Sequence, residues 1–426
     1  MSRPRPNPRP AAEAPPREFV IARIGHQGDG APADGAPHTP FTLPGERVRA
    51  RVAGDRGELT EVLEASVERV APPCPHFGVC GGCALQHWDH APYLAWKVEQ
   101  IRLALARENI ETDFAPAFAA RPGARRRLAL HARRGSREEA LLGFKGRRSW
   151  SLVPIAVCPI SDPRLVEALP ALRRLAAPLF EHPKSAPTLH VTLTETGLDV
   201  DVTGVEARSG GLSADARLRL AEAAAAGGFA RVTLAGEIAY GAREPMVRFG
   251  RASVALPPGG FLQAVAEAEA AMAQVAVEAT AGAASIADLF CGAGAFTFRL
   301  AEQATVVAAD ASAPAVRALT AGLATAPGLK GVRAEARDLA RRPVLASELK
   351  RVDAVVFDPP RAGAMEQAGE IARSGVATAV GVSCNPATFA RDAAILAAGG
   401  FRLERVTPVD QFLWSPHIEL VGVFRR

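Results

Sequence analysis

The stretch Asp288-Leu289-Phe290-Cys291-Gly292-Ala293-Gly294-Ala295-Phe296 decides the fold. The apolar run 285–290 reads as a strand that breaks into a glycine turn opening a helix. Glycines there let a ligand approach the backbone, and the helix start offers it free N–H groups. One strand later, Val306-Val307-Ala308-Ala309 leads into Asp310, placed to accept both hydroxyls of a ribose. Together they predict an α/β sheet that binds a nucleoside cofactor.

Thr297 stands where the third glycine of a dinucleotide fingerprint would be, which disfavours a dinucleotide. Asp338, just past the third strand, adds a second acid. Two such acids suit S-adenosylmethionine, whose adenosine needs ribose and ring-nitrogen partners but no phosphate cradle. Further strands are expected at 305–310, 331–336, 352–357, 377–383, 402–408 and 418–424, with helical patterns between the first five strands of the domain. No helix separates the last two, so they are expected to pair as an antiparallel hairpin on a parallel sheet, an arrangement typical of methyl-donor enzymes.

Three candidates sit at strand ends. Phe357-Asp358-Pro359-Pro360-Arg361 fixes a carboxylate and a guanidinium on a loop stiffened by two prolines. Val382-Ser383-Cys384-Asn385-Pro386 places a thiol before a Pro-led helix at 387–398, where the helix dipole is expected to favour the thiolate and hence a nucleophile. Cys291, the competing thiol, reads as packing. Ser415-Pro416-His417-Ile418-Glu419 brings an acid into a strand whose second face, with Val421 and Val423, is also covered. Glu419 is the candidate general base, with His417 as a hydrogen-bonding support.

Upstream lies Cys74-x5-Cys80-x2-Cys83, wrapped in Gly78, Gly81 and Gly82, with Cys158 in Val157-Cys158-Pro159 as a distal fourth ligand. Four thiolates make a tetrahedral metal site, and spacing alone does not separate Zn2+ from a [4Fe-4S] cluster. Between the third and fourth cysteines, the run from Arg121 to Trp150 holds nine arginines and Lys145 against Glu138 and Glu139, a local net of +8 where the whole chain carries +5. Arg125, Arg126, Arg127, Arg133, Arg134, Arg147 and Arg148, interleaved with Phe144 and Trp150, suit phosphate contact and base stacking on RNA.

The chain has 426 residues, 48% hydrophobic and 22% charged, enough for several domains with cores of their own and unlike a disordered chain or a disulfide scaffold. Residues 1–16 read as a disordered basic tail, 17–71 as a small β-barrel, 72–255 as a cysteine-bearing α+β domain and 256–426 as the cofactor-binding domain. No stretch reaches the roughly 18 apolar residues of a membrane span. A cytoplasmic protein with no membrane and no obligate protein partner is expected, its six cysteines serving metal or chemistry rather than disulfides.

These residues together resemble the RNA 5-methyluridine (uracil-C5) methyltransferase family, most closely its 23S rRNA members, from about Glu18 to Arg426. Gly45-Glu46-Arg47-Val48 is similar to a TRAM domain, an OB-like RNA-binding barrel. The resemblance implies a class I, Rossmann-like methyltransferase domain behind that TRAM barrel and a central α+β domain. It further implies a [4Fe-4S] cluster on Cys74, Cys80, Cys83 and Cys158, and an S-adenosylmethionine site lined by Gln263, Phe290, Asp310, Asp338 and Asp358. Cys384 would add to C6 of a flipped uracil, and Glu419 would remove the C5 proton. Two departures stand out: Ala295 where relatives commonly carry Asn, and Gln263-Ala264-Val265 where they carry Gln-x-Asn. Both remove side-chain hydrogen bonds expected near the methyl donor.

Three alternatives remain open on sequence. A tRNA uracil-C5 methyltransferase is the first, although the tRNA members resembled usually lack both barrel and cysteines. Radical methylthiotransferases also join a TRAM barrel to iron–sulfur chemistry, but they need Cys-x3-Cys-x2-Cys, where this chain has x5 in the first gap. A non-catalytic RNA-binding relative fits the two departures and not the retention of Cys384 and Glu419.

Overall fold

The computed structural model describes residues 15–136, 138–207 and 211–426. The expected basic tail falls almost wholly outside them, as does Arg137 of the basic segment.

The C-terminal sheet contains β1 (Ser285–Leu289), β2 (Thr305–Asp310), β3 (Val332–Ala336), β4 (Ala354–Phe357), β5 (Thr378–Ser383), β6 (Arg402–Asp410) and β7 (Glu419–Arg425). Their order is β3-β2-β1-β4-β5-β7-β6. The first five run parallel, and β7 is antiparallel to both its neighbours, as the missing helix required. Every residue of β4 and β5 is buried, which is why both read as continuous apolar runs instead of alternating ones. Strand order reverses between β1 and β4, and a crevice opens there beyond their carboxyl ends.

The helical expectation fails between β3 and β4, where only a 3₁₀ turn, Glu348–Arg351, forms. Pro343 interrupts the segment, and the Arg337 guanidinium staples the loop by donating to the Arg342 and Pro343 carbonyls and to Glu348.

Residues from before the basic segment complete the same sheet. Asp113–Phe114 and Phe118–Ala119 pair in parallel with β6. The helix His90–Arg107, capped by Asp89, buries Ile101 and Leu105 in one core with Phe389 and Leu396. The chain leaving the cysteine loop therefore packs on the sheet that carries Cys384.

A separate seven-stranded sheet spans Arg127–Arg133 to Glu237–Gly241, and it packs with the helices Leu169–Ala176 and Ala214–Ala226 around their own core. The N-terminal segment folds as two three-stranded sheets bridged between His38 and Arg56. Among the described residues, no helix is long and apolar enough to cross a membrane.

Candidate active site

A cavity of about 630 Å³ fills the crevice, and Gln263, Phe290, Asp310, Asp338, Asp358, Cys384 and Glu419 all line it. At its floor the β1 turn is built on unusual backbone. Phe290, Gly292 and Gly294 have φ of 63°, 53° and 102°. A Cβ on Gly294 would meet the Phe298 ring at 2.6 Å, so only glycine closes this turn. Thr297 has a use of its own, donating its hydroxyl to the wholly buried Asp288. Asp310 accepts the Gly292 N–H at 3.0 Å on one oxygen and the Ser312 N–H at 2.7 Å on the other, which holds its carboxylate beside the turn.

Across the crevice, burial comes first among the causes that raise three groups. Burial, then the charges of Glu269 and Asp310, push Asp358 up to about 7, against a hydrogen bond from Gln263. Burial and Asp358 push Glu419 up to about 8, with Gln411 opposing. Burial, Glu419 and Asp358 push the Cys384 thiol up to about 11, and Arg361 pulls it only partly back. The expected dipole-stabilised thiolate is thus not what the free site provides. Two carboxylates and burial outweigh the helix start, whose N–H groups Asn385 already engages by capping at Ala387.

Asn385 also ties the Cys384 turn to the Asp-Pro-Pro-Arg loop, donating to the Arg361 carbonyl at 3.2 Å. Cys291 is buried in the core, as expected of a packing thiol. His417 faces elsewhere: it lines the neighbouring cysteine cavity, with Phe412 edge-on at 6.1 Å.

Ala295 and Val265 do not line the 630 Å³ cavity. Val265 is the N-cap of the helix Ala266–Ala279 without a side-chain cap bond, so replacing Asn there removes a helix cap and not a cavity contact. Its backbone N–H is taken by Gln411, a buried residue that sequence reasoning passed over because a lone glutamine carries no pattern.

The basic segment divides in an unforeseen way. Arg126 donates to the Gln263 carbonyl at 2.9 Å and pairs with buried Glu269 at 2.7 Å. Arg127 donates to the carbonyls of Leu262 and Gly260 at 2.7 and 3.2 Å, and Arg125 to that of Arg127. Arg126 and Arg127 clamp the 260–263 wall of the active-site cavity instead of facing a polyanion, while Arg125 lines the cavity of the cysteines. Arg147 and Arg148 pair with Asp29 of the N-terminal segment. Of the rest, Arg121 pairs with Glu267 and Arg134 donates to the Phe180 carbonyl, while Arg133 is bonded to the Trp150 carbonyl and Lys145 lies 4.0 Å above the 69% exposed Trp150 ring.

Cys74, Cys80, Cys83 and Cys158, all free thiols, line one cavity of about 340 Å³. Among the described residues, no three His, Cys, Asp or Glu side chains are grouped closely enough to hold a single metal ion. Phe412, Leu413, Ser415 and His417, from the loop between Gln411 and Glu419, line the same cavity. Trp414, in that loop, accepts the N–H groups of Ala84 and Leu85 at 2.8 and 3.0 Å.

Residues 252–426 match the family described as tRNA (Uracil-5-)-methyltransferase. A protein of Caulobacter vibrioides described as an uncharacterized RNA methyltransferase is 64% identical over 414 residues, 96% of this chain and 100% of that one. The 23S rRNA (uracil(1939)-C(5))-methyltransferase RlmD of Chromohalobacter salexigens is 32% identical over 440 residues, 95% of this chain and 88% of that one. Pyrococcus abyssi tRNA (uracil-54, C5)-methyltransferase, solved in complex with S-adenosyl-L-homocysteine, superposes with a TM-score of 0.72. The match covers 96% of this chain and 99% of that one at 22% identity, a likeness of fold.

Proposed function

Since this chain belongs to the RNA uracil-C5 methyltransferase family, we propose that it methylates C5 of a uridine in 23S rRNA, using S-adenosylmethionine and a covalent adduct on Cys384. The observation that carries this reading is the convergence of a thiol, a buried acid and five cofactor-type residues on one cavity at the strand reversal. The rRNA preference is supported by the RlmD relative, whose similarity covers 95% of this chain. A tRNA uridine is the second reading, favoured by the fold likeness to the Pyrococcus abyssi enzyme.

Bound S-adenosylmethionine supplies a sulfonium methyl group, which C5 takes up as S-adenosylhomocysteine is left. Gln263, Phe290, Asp310, Asp338 and Asp358 would hold it, with Asp310 on the ribose. C5 of uracil is too weak a nucleophile unaided, so the Cys384 thiolate adds to C6 and its pair pushes electron density onto C5. After methylation Glu419 takes the C5 proton, C5=C6 re-forms and Cys384 leaves as thiolate. A uridine would reach the cavity by flipping out of its stack. Arg133, Lys145 and Trp150 offer the RNA a cation-and-aromatic surface.

The four cysteines would hold a [4Fe-4S] cluster. All four thiols line one cavity of about 340 Å³, and four thiolates are the ligand set such a cluster takes. Such a cluster would cross-link the cysteine loop to residue 158 and take no part in the reaction. The division at 17–71, 72–255 and 256–426 into TRAM barrel, cluster domain and methyltransferase domain, with residues 90–119 adding to the methyltransferase sheet and its core, and a cytoplasmic location, complete the reading.

The test is to map 5-methyluridine in rRNA and tRNA from cells with and without the protein. Loss of one 23S rRNA site is expected, and loss confined to tRNA would transfer the substrate.

A further inference from the structure

Gln411 is 2% exposed, and each of its side-chain polar atoms has a partner. Its Oε1 accepts the Val265 N–H at 3.3 Å, while its Nε2 donates to Gln263 Oε1 at 2.7 Å and to Glu419 Oε1 at 3.1 Å. A backbone N–H only donates, so the amide oxygen must face Val265 and the nitrogen must face the carboxylate. The same logic passes to Gln263. With its oxygen engaged by Gln411, its nitrogen turns to Asp358 Oδ2 at 3.2 Å. One main-chain donor thereby orients two amides, each presenting an N–H to one carboxylate.

We propose that Gln411 is a positioning residue of the reaction, holding the Glu419 carboxylate toward C5 of the target base and joining it, through Gln263, to the methyl-donor side of the cavity. This rests on the uracil-C5 reading above. Strand register explains the reach: Val409 faces Glu419 across the β6–β7 hairpin, and Gln411, two residues on, is its diagonal neighbour. The groups bearing on Glu419 are otherwise unfavourable. Asp358 comes from the end of β4 and Cys384 from the end of β5, while Arg361 acts on Cys384. The Gln411 N–H is the favourable contact that keeps an ionised carboxylate in place.

Glu419 is needed only after methylation. The C5–H bond then breaks, its proton passes to Glu419, its electron pair re-forms C5=C6, and the C6–S bond breaks to release the Cys384 thiolate. Loss of Gln411 should therefore slow release of the adduct and spare its formation. A merely structural residue would affect both.

The experiment is rapid quenching of a single turnover on target RNA, following the protein–RNA adduct and 5-methyluridine across pH. Gln411→Leu removes both donated bonds. Gln411→Glu keeps an acceptor for Val265 and replaces the donor, and serves if the first variant does not fold. Adduct formation near the wild-type rate is expected, with release slowed tenfold or more and the acid limb of release moved to higher pH. Wild-type release with an unmoved limb in a folded variant would overturn the proposal, as would equal loss of formation and release. A wild-type protein that forms neither adduct nor 5-methyluridine would instead overturn the reading beneath it.

Discussion

Ser383 and Leu420 are register partners across the antiparallel strands β5 and β7, and the residues that adjoin them, Cys384 and Glu419, line one cavity. Opposed residues of an antiparallel pair have Cα atoms roughly 4.5–5.5 Å apart. The reversed direction of β7 thus brings a thiol and an acid to the two sides of one site. It also brings together two groups that resist ionising side by side.

A pH dependence follows. Glu419, pushed up to about 8, and Cys384, pushed up to about 11, both act in their deprotonated forms, so raising the pH populates the active state of each. Single-turnover methylation should rise steadily between about pH 6 and 9. A rate that falls across that range contradicts the assignment.

Stability should run the other way. Glu419 has its pKa raised from 4.5 to about 8, so its contribution is fully present at acid pH and is lost as the pH rises through about 8. Glu419→Gln keeps an acceptor for Gln411 without the charge. Thermal melts of the ligand-free protein should show the variant more stable by on the order of 1–2 kcal/mol near pH 8.5, with the gap closing near pH 5. A variant less stable than wild type at both values would count against a buried, strained acid.

The split of the arginines gives a paired test. Arg126→Ala frees the Gln263 carbonyl and leaves Glu269 with the 3.4 Å contact to Arg299. It should weaken S-adenosylmethionine binding about tenfold by titration calorimetry and destabilise the fold by on the order of 2 kcal/mol. Arg133→Ala should leave cofactor affinity unchanged and lower RNA affinity, with a shallower salt dependence. The reverse pattern would return the triple arginine to the RNA surface.

For the cysteine cavity, anaerobically purified protein should carry about four iron and four sulfide per chain, and Cys158→Ala should lose them. Zinc without iron would refute the cluster.

Much of the catalytic sheet was legible because its central strands are short apolar runs with chemistry at their ends: Asp310 closes a strand, Glu419 opens one, and Asp358 and Cys384 directly follow one. The antiparallel last strand followed from a missing helix. What stayed hidden depends on three dimensions. Arg125, Arg126 and Arg127 look the same in sequence whether they face a phosphate or a backbone carbonyl. The segment between β3 and β4 had helical composition but no uninterrupted stretch long enough to form one. Gln411 gains its meaning only from Val265 and Gln263, about 150 residues away, 146 and 148 positions by count. Burial, with Glu419 and Asp358, raises the Cys384 thiol where a lowered one was expected, because sequence does not show how deeply a thiol will be buried or which acids will face it.

The most direct measurement replaces the nucleophile. Cys384→Ala should still bind S-adenosylmethionine and RNA with wild-type affinity and should form neither 5-methyluridine nor a covalent protein–RNA adduct. Undiminished 5-methyluridine formation by that variant would contradict the account.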